Sequence, residues 1–278
     1  MSNGEPETVC GTCPRHCILA KGAFGFCRAR KADGGRVIAA NYGRITSLAL
    51  DPIEKKPLSF FHPGENVLSV GSFGCNLRCP FCQNDSISQH GEDGVVCQDV
   101  TPVGLADLAL KVRRERGNLG LAYTYNEPLV GWEFVRDCAR EVHVRGMLNV
   151  LVSNGCAEAQ VVEELAPLID AANIDIKGPS QEYYDWVGGD FAAVCRTIKT
   201  LHSAGCHVEV TTLVVPGRND TESDIDAIAG FVASVSPEIP LHVTRFFPRF
   251  QMRDAQPTSA AVIRHLAEVA SRRLKYVI

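Results

Sequence analysis

The sequence predicts an α/β fold in which a parallel sheet curls into a partial (β/α)6 TIM-like barrel, preceded by a small cysteine-rich module. From residue 66 onward, apolar strand-like runs alternate with segments of helical period. The repeating unit is about 30 residues long, as a βαβ unit is. Several runs also carry polar residues on one face, which favours a concave interior over the alternative, a doubly wound sheet with apolar strands between helix layers.

Six runs predict the strands of the barrel, and they cover residues 66–71, 119–125, 149–153, 173–177, 207–215 and 241–247. In the run 173–177, Ile174 and Ile176 share one face, while Asp175 and Lys177 share the other. Strands that alternate with helices form parallel sheets through right-handed crossovers. We therefore expect the polar faces of neighbouring strands to meet inside the barrel.

Helices are predicted between the strands, because apolar residues recur there at the i, i+3, i+4, i+7 spacing. Thr101 followed by Pro102 predicts one helix N-terminus. Thr221 with Asp224 three residues later resembles a capping box and predicts another.

Composition and charge restrict the class of protein. Of the 278 residues, 45% are hydrophobic and 22% are charged, which is typical of a folded chain. The net charge of −4 provides no general attraction to nucleic acid or to anionic lipid. The N-terminus lacks a secretory signal, and no run of eighteen apolar residues is present. We expect a cytoplasmic protein without nucleic-acid or membrane partners.

Two regions are predicted. Residues 1–65 form an N-terminal cysteine-rich module that ends in a linker, "DPIEKKPLSFFHPG", at residues 51–64. Residues 66–278 form the barrel.

The loop after the first barrel strand contains three cysteines, Cys75, Cys79 and Cys82, in the spacing C-x3-C-x2-C. A [4Fe–4S] cluster takes one thiolate for each iron, so three cysteines leave one iron open to another ligand. The alternative is a zinc site completed by Cys97 or His90, although zinc sites favour well-separated cysteine pairs. A redox disulfide leaves the third cysteine unexplained.

With an aromatic residue, Phe81, before its last cysteine, this loop resembles the signature of the radical S-adenosylmethionine (SAM) superfamily. The resemblance implies that SAM binds the open iron. An electron supplied by a reductant such as flavodoxin or ferredoxin then cleaves SAM, and the resulting 5′-deoxyadenosyl radical abstracts hydrogen from a substrate. The protein orients and shields this chemistry, which the cofactor provides.

Four strand-end segments resemble elements of the same superfamily: "YNEP" (125–128), "SNG" (153–155), "DIKG" (175–178) and "VVPGRND" (214–220). In the first, Tyr125 and Asn126 replace two glycines, and Glu127 is implied to accept from the SAM ammonium. Taken alone, each is also typical of a turn or, at Pro128, of a helix start. The cofactor-binding residues implied are Phe81, Asn126, Glu127, Ser153, Asn154, Asp175, Lys177 and Val215.

The catalytic candidates are His242 and Arg245, on the last predicted strand, together with Lys177. The first two are expected to contact adenosine or substrate. The alternative is a surface histidine and a salt-bridged arginine.

The N-terminal module has four cysteines, Cys10, Cys13, Cys17 and Cys27, in the spacing C-x2-C-x3-C-x9-C. Four thiolates close either a zinc site or a second [4Fe–4S] cluster. The compact triple followed by a distant cysteine favours a cluster. The other cysteines are expected to be small buried apolar residues: Cys97, Cys138, Cys156, Cys195 and Cys206.

Taken together, the cysteine-rich module, the linker and the barrel motifs resemble the radical SAM enzymes of the AmmeMemoRadiSam system, which are related to pyruvate formate-lyase activating enzymes. The resemblance implies partners among the other components of that system and favours a protein or peptide substrate. It also implies a shortened C-terminus, because relatives continue past "LKYVI". The alternatives are modification of a small molecule with the help of an auxiliary N-terminal cluster, and a non-catalytic iron–sulfur electron carrier.

Overall fold

The computed structural model describes residues 7–278. Within them the strands are β1 (Thr8–Val9), β2 (Ile18–Leu19), β3 (Arg30–Asp33), β4 (Arg36–Ala39), β5 (Arg44–Ile45), β6 (Ser47–Pro52), β7 (Asn66–Gly71), β8 (Gln98–Asp99), β9 (Gly120–Tyr123), β10 (Leu148–Ser153), β11 (Ala171–Asp175), β12 (His207–Val214) and β13 (Leu241–Arg245). The α-helices are α1 (Asp85–Ser88), α2 (Pro102–Arg116), α3 (Trp132–Val144), α4 (Ala159–Leu165), α5 (Gln181–Val187), α6 (Phe191–Ser203), α7 (Glu222–Val235) and α8 (Ala260–Ala270).

The main sheet has seven strands in the order β13-β12-β11-β10-β9-β7-β6. Strands β7 and β9–β13 are parallel, and they include all six predicted strands. Because each parallel strand is followed by helical structure, the carboxyl ends of the strands meet at one end of the sheet. The α/β class with a parallel sheet is confirmed.

One edge of this sheet is formed by β6, which pairs antiparallel with β7 from Ser47–Gly71 to Pro52–Asn66. At the other edge, the last residues of the chain bond to β13: the Leu241 amide donates to the Tyr276 carbonyl at 3.0 Å. The predicted boundary after residue 65 therefore falls between two paired strands of one sheet.

The segment predicted as a linker packs into the barrel. Its Ile53 and Leu58 are fully buried in a cluster with Val67, Ala122, Val150 and Ala171. The amides of Ser59 and Phe60 donate to the Glu209 carboxylate at 3.0 and 2.8 Å. These contacts make the segment part of the barrel core, which corrects its interpretation as a connection between two units.

Both predicted helix starts are confirmed. The Thr101 hydroxyl accepts from the Gly104 amide at the start of α2, and Pro102 is the first helical residue. At the start of α7, Thr221 and Asp224 form a reciprocal capping box. Such caps satisfy amides that have no partner within the helix.

Between residues 8 and 39, the cysteine-rich module contains two antiparallel hairpins, β1–β2 and β3–β4. A buried ion pair fastens it to the barrel: the Arg30 guanidinium lies 2.6 Å from the Glu133 carboxylate on α3. Among the helices of residues 7–278, none combines the length and the apolar character needed to cross a membrane.

Candidate active site

A cavity of about 380 Å³ opens at the carboxyl ends of the parallel strands. Barrel enzymes place their active sites at this end. Most of the predicted site residues line it: Cys75, Cys79, Phe81, Cys82, Asn126, Glu127, Ser153, Asn154, Asp175, Lys177 and Arg245. The carboxyl ends of β7, β9, β10, β11 and β13, with the loops that follow them, thus converge on one space.

The three cysteines of the loop after β7 all face this cavity. The Cys75 sulfur accepts from the Leu77 amide at 3.3 Å, and the Cys82 sulfur lies 3.1 Å from the Ser88 hydroxyl. Burial raises the pKa of Cys75 well above its ordinary value, and it raises that of Cys79 to about 12. These thiols are protonated without a cation, and metal binding releases their protons.

The donor set fits an iron–sulfur cluster that has three protein ligands. Each thiolate of a cube binds a different iron, so the sulfurs surround a volume instead of meeting at one ion. Cys75, Cys79 and Cys82 would hold three irons, and the cavity provides room for a ligand at the fourth.

Glu127 lies at the centre of the polar wall of the cavity and is only 2% exposed. Its carboxylate accepts from the Ser153 hydroxyl at 2.6 Å, the Asn154 amide at 2.8 Å and the Leu129 amide at 3.0 Å. Burial raises the pKa of Glu127 to about 6, and these three donors oppose the shift. A carboxylate has about four acceptor sites, so one remains for a bound cation.

Asn126 fastens the end of β9 to the cysteine loop. Its side chain donates to the Phe73 and Gly74 carbonyls at 3.1 and 3.2 Å, and it accepts from the Ser72 amide at 2.9 Å. The preceding Tyr125 keeps a φ of 72°, a left-handed conformation that favours the glycine of the related motif. Its hydroxyl donates to Asp51 at 2.6 Å, which gives this substitution an anchor in β6.

Lys177 supplies a half-buried positive charge to the cavity. Its ammonium lies 2.7 Å from the Asp175 carboxylate. Burial by itself lowers the pKa of Lys177, but the negative charge of Asp175 and its hydrogen bond to the ammonium outweigh burial and raise it. The lysine is therefore cationic at neutral pH.

Val215 does not contact the cavity, because its side chain is fully buried in the core. Its amide donates to the Asn219 side chain at 2.7 Å, and that side chain donates to the Lys177 carbonyl at 3.0 Å. Val215 thus supports the backbone that carries Lys177.

The two candidates on the last strand differ in position. His242 is buried and bonds to Glu209 at 2.7 Å, and it is not among the residues that line the cavity. Arg245 lines the cavity, donates to the Thr258 carbonyl at 2.9 Å and forms no ion pair within residues 7–278. His242 is neither a surface histidine nor a cavity residue.

Glu209 is the centre of a second polar cluster, which the sequence analysis did not assign to any site. Burial raises its pKa, but bonds from His207, His242 and the Phe60 and Ser59 amides outweigh burial and lower it to about 2. The Glu209 carboxylate holds the segment 51–64 against the barrel, and Pro57 of this segment lines the cavity.

Further residues that line the cavity were not predicted as site residues: Tyr125, Thr211, Leu213 and Thr244. For Glu209 and Thr211, the alternation of polar residues on β12 was the available signal.

The four N-terminal cysteines lie close together. Cys10, Cys13 and Cys27 are buried and Cys17 is half-buried. Burial raises the pKa of Cys13 and raises that of Cys27 to about 11, and charges on neighbouring cysteines add to both shifts. Among the remaining cysteines, Cys138, Cys156 and Cys206 are buried as predicted, whereas Cys97 and Cys195 are half-buried.

The chain was compared with family models, curated proteins and solved structures. The family model described as the radical SAM superfamily matches residues 69–232. An uncharacterised protein of Methanocaldococcus jannaschii is 39% identical over 275 residues, which cover 98% of this chain and 81% of that protein. The benzylsuccinate synthase activating enzyme of Thauera aromatica is 31% identical over 116 residues, or 41% of this chain and 35% of that enzyme.

Among solved structures, a radical SAM methyltransferase from Sphaerobacter thermophilus has a similar fold. The TM-score is 0.57 at 16% sequence identity, and the match covers 78% of this chain and 67% of that chain.

Proposed function

Since the chain belongs to the radical SAM superfamily, we propose that it is an activating-enzyme-like member that abstracts hydrogen from a protein or peptide substrate. The observation that carries the proposal is the cysteine triple at the cavity: three thiols, Cys75, Cys79 and Cys82, face one space that also holds Glu127 and Lys177. Relatives named as activating enzymes of other enzymes favour a polypeptide substrate.

The chemistry of SAM cleavage belongs to the cofactor: a bound [4Fe–4S] cluster supplies the electron that splits SAM into methionine and a 5′-deoxyadenosyl radical. The residues of the chain hold and orient SAM. Glu127 accepts from the SAM ammonium with its remaining acceptor site, and the Lys177 cation attracts the SAM carboxylate. Glu127 is buried and Lys177 is half-buried, so water competes weakly for the carboxylate above all.

Arg245 and Lys177 are the residues that we assign to substrate positioning, because both line the cavity. Phe81 lies beside them against Trp186, with ring centroids 5.6 Å apart, and it excludes water from the cysteine loop. We leave His242 out of the catalytic group because Glu209 engages its ring.

Further parts of the proposal concern the N-terminal module and the partners. We assign Cys10, Cys13, Cys17 and Cys27 to a second [4Fe–4S] cluster, with zinc as the alternative. A flavodoxin or ferredoxin supplies electrons in the cytoplasm, and the other components of the AmmeMemoRadiSam system are candidate protein partners.

A second candidate function is the modification of a small molecule. The closeness of the N-terminal cysteines to the cluster loop favours it, because the Cys75 amide donates to the Cys27 carbonyl at 3.2 Å.

The experiment uses anaerobically reconstituted protein with dithionite, SAM and deuterium-labelled candidate substrates. We expect 5′-deoxyadenosine from the wild type and from a Cys195→Ala control, and none from Cys82→Ala. Deuterium in the nucleoside identifies the substrate class. If the wild type retains its cluster and yet forms no 5′-deoxyadenosine, the proposed function is wrong.

A further inference from the structure

Arg245 has unused hydrogen-bond donors at the cavity. The residue ends β13, lines the cavity and is half-buried. Its Nε–H donates to the Thr258 carbonyl at 2.9 Å, which takes one of the five N–H donors of a guanidinium. Among the residues that the structure describes, no group accepts from the other four. Since a guanidinium binds a carboxylate through two parallel hydrogen bonds, Arg245 is able to bind a carboxylate that enters the cavity.

Phe247 lies beside this guanidinium and is open to solvent. Its ring centroid is 5.0 Å from the guanidinium carbon of Arg245, and the residue is 49% exposed. Aromatic residues and arginines are enriched in the surfaces that bind other proteins. The mouth of the cavity therefore presents an apolar surface next to a cation.

The segment that follows β13, residues 246–258, is fixed beside the cavity. At its end, the Thr258 hydroxyl donates to the Val214 carbonyl, the last residue of β12, at 2.6 Å. In its middle, the Gln251 amide donates to the Pro80 carbonyl of the cysteine loop at 2.9 Å. The segment is thus held both to a strand end and to the loop that carries the cysteine triple.

This segment carries positive charge at its surface. Arg249 and Arg253 stand two positions before and two positions after Gln251, and both are exposed. Neither forms an ion pair within residues 7–278. Their charges are therefore available to a partner that approaches the cysteine loop.

Arg218 extends the positive charge to the neighbouring loop, which follows β12. It is exposed, and its guanidinium carbon lies 4.3 Å from the ring centroid of Trp186 on α5. The Trp186 ring lies 5.6 Å from that of Phe81, which lines the cavity. Arg218 is thus connected to the cavity wall through two stacked rings.

The sign of the charge at the mouth is opposite to that of the chain. Residues 215–220 and 245–258 contain four arginines and two acidic residues, Asp220 and Asp254, whereas the whole chain has a net charge of −4. A local field of one sign attracts a partner segment of the other sign. We name the four basic residues the arginine collar: Arg218, Arg245, Arg249 and Arg253.

We propose that the arginine collar binds an acidic segment of the polypeptide substrate and guides it into the cavity. Arg245 binds a substrate carboxylate, Phe247 contacts an apolar side chain, and the exposed arginines attract the acidic residues that flank them. A polypeptide is favoured over a nucleic acid, because the net negative charge of the chain repels a long polyanion. The inference rests on the proposed function and adds its substrate class, a polypeptide whose reacting residue lies among aspartates or glutamates.

The test measures the binding of fluorescein-labelled peptides to the reconstituted protein with SAM, by fluorescence anisotropy. One peptide has glutamates on both sides of a Phe-Gly pair, and the other has lysines in their place. The wild type is expected to bind the acidic peptide about tenfold more tightly than the lysine peptide, with an affinity that falls as salt is added. Equal affinities for the two peptides overturn the proposal.

Substitutions then locate the binding surface. Arg249→Glu and Arg253→Glu are each expected to weaken binding of the acidic peptide about fivefold, and Arg245→Gln about tenfold. Arg264→Glu is the matched control, because Arg264 is an exposed arginine on α8 that has no ion pair in the described part of the chain and does not line the cavity. This control should bind like the wild type. Equal weakening by Arg264→Glu would reduce the effect to net charge and overturn the proposal.

Two further measurements test the sign of the charge and the class of partner. The double variant Arg249→Glu/Arg253→Glu should bind the lysine peptide more tightly than the wild type does, a gain that loss of fold cannot produce. A double variant without this gain contradicts the proposal. A single-stranded oligonucleotide that displaces the acidic peptide from the wild type more effectively than the unlabelled acidic peptide does would overturn it in favour of nucleic acid.

Formation of 5′-deoxyadenosine is measured separately on the wild type. Preferential binding of the acidic peptide without 5′-deoxyadenosine contradicts the proposed function and leaves the arginine collar as a binding surface. Formation of 5′-deoxyadenosine without a preference for the acidic peptide does the reverse.

Discussion

The buried carboxylate of Glu127 leads to a prediction about the pH dependence of stability. Burial raises its pKa from 4.5 to about 6, a difference that corresponds to about 2 kcal/mol. Between these two pKa values the folded protein binds more protons than the unfolded chain. Stability is therefore greatest below pH 4.5 with respect to this group, and the contribution is lost as the pH rises through 6. At neutral pH the ionised Glu127 carboxylate therefore destabilises the folded protein.

The perturbation is Glu127→Gln, which keeps the shape and removes the charge. From pH 5 to pH 7.5 the wild type should lose roughly 1 kcal/mol of unfolding free energy relative to the variant, the part of the shift that falls in this range. The variant also leaves the Asn154 amide facing a donor, a cost of about 1–3 kcal/mol at every pH.

Urea unfolding of the metal-free protein at pH 5, 6, 7 and 7.5 measures both effects. The difference between the two unfolding free energies is expected to change with pH by the amount above, in the direction that favours the variant at high pH. Parallel curves over this range refute the assigned ionisation of Glu127. Reconstituted Glu127→Gln should in addition bind SAM at least tenfold more weakly at pH 7.5, since its fourth acceptor site is lost.

Three other changes have distinct expected outcomes. Gly74→Ala should lose cluster iron, because its Cβ meets the Cys27 carbonyl at 2.5 Å, whereas Gly22→Ala, at a similar φ but with nothing within 4 Å, should retain iron in the same colorimetric assay. Thr221→Ala removes a helix cap and should cost about 1 kcal/mol, seen as a melting temperature lower by about 2–3 °C with unchanged SAM cleavage. Lys177→Met should keep its iron and bind SAM about tenfold more weakly in equilibrium dialysis. Iron loss from Gly22→Ala, reduced cleavage in Thr221→Ala, or unweakened SAM binding by Lys177→Met would each contradict the corresponding reasoning.

Much of the barrel was predictable because its signals are local. Strand runs, helix period and the caps at Thr101 and Thr221 each depend on residues a few positions apart. Chain order then places strand ends together, so the convergence of Cys75, Glu127 and Lys177 on one cavity followed from topology.

The features that were missed depend on partners distant in sequence. The segment 51–64 has the charges and prolines of a linker, yet Asp51 pairs with a buried Lys56 at 3.0 Å, and Glu209 captures the amides of Ser59 and Phe60. The composition of a segment does not show that partners distant in sequence will satisfy its charges and amides inside a barrel. The alternation of residues along its strand allows His242 to face the interior. Only the packed structure shows that its ring is hydrogen-bonded to Glu209.

The central claim is that Cys75, Cys79 and Cys82 hold a cluster with one iron open to SAM. Electron paramagnetic resonance of the reduced cluster, recorded with and without SAM, tests it most directly when the N-terminal signal is removed by Cys10→Ala/Cys17→Ala. We predict a [4Fe–4S]⁺ signal that changes shape on addition of SAM. A signal that SAM leaves unchanged, or a protein in which Cys75, Cys79 and Cys82 bind no iron, would contradict the account.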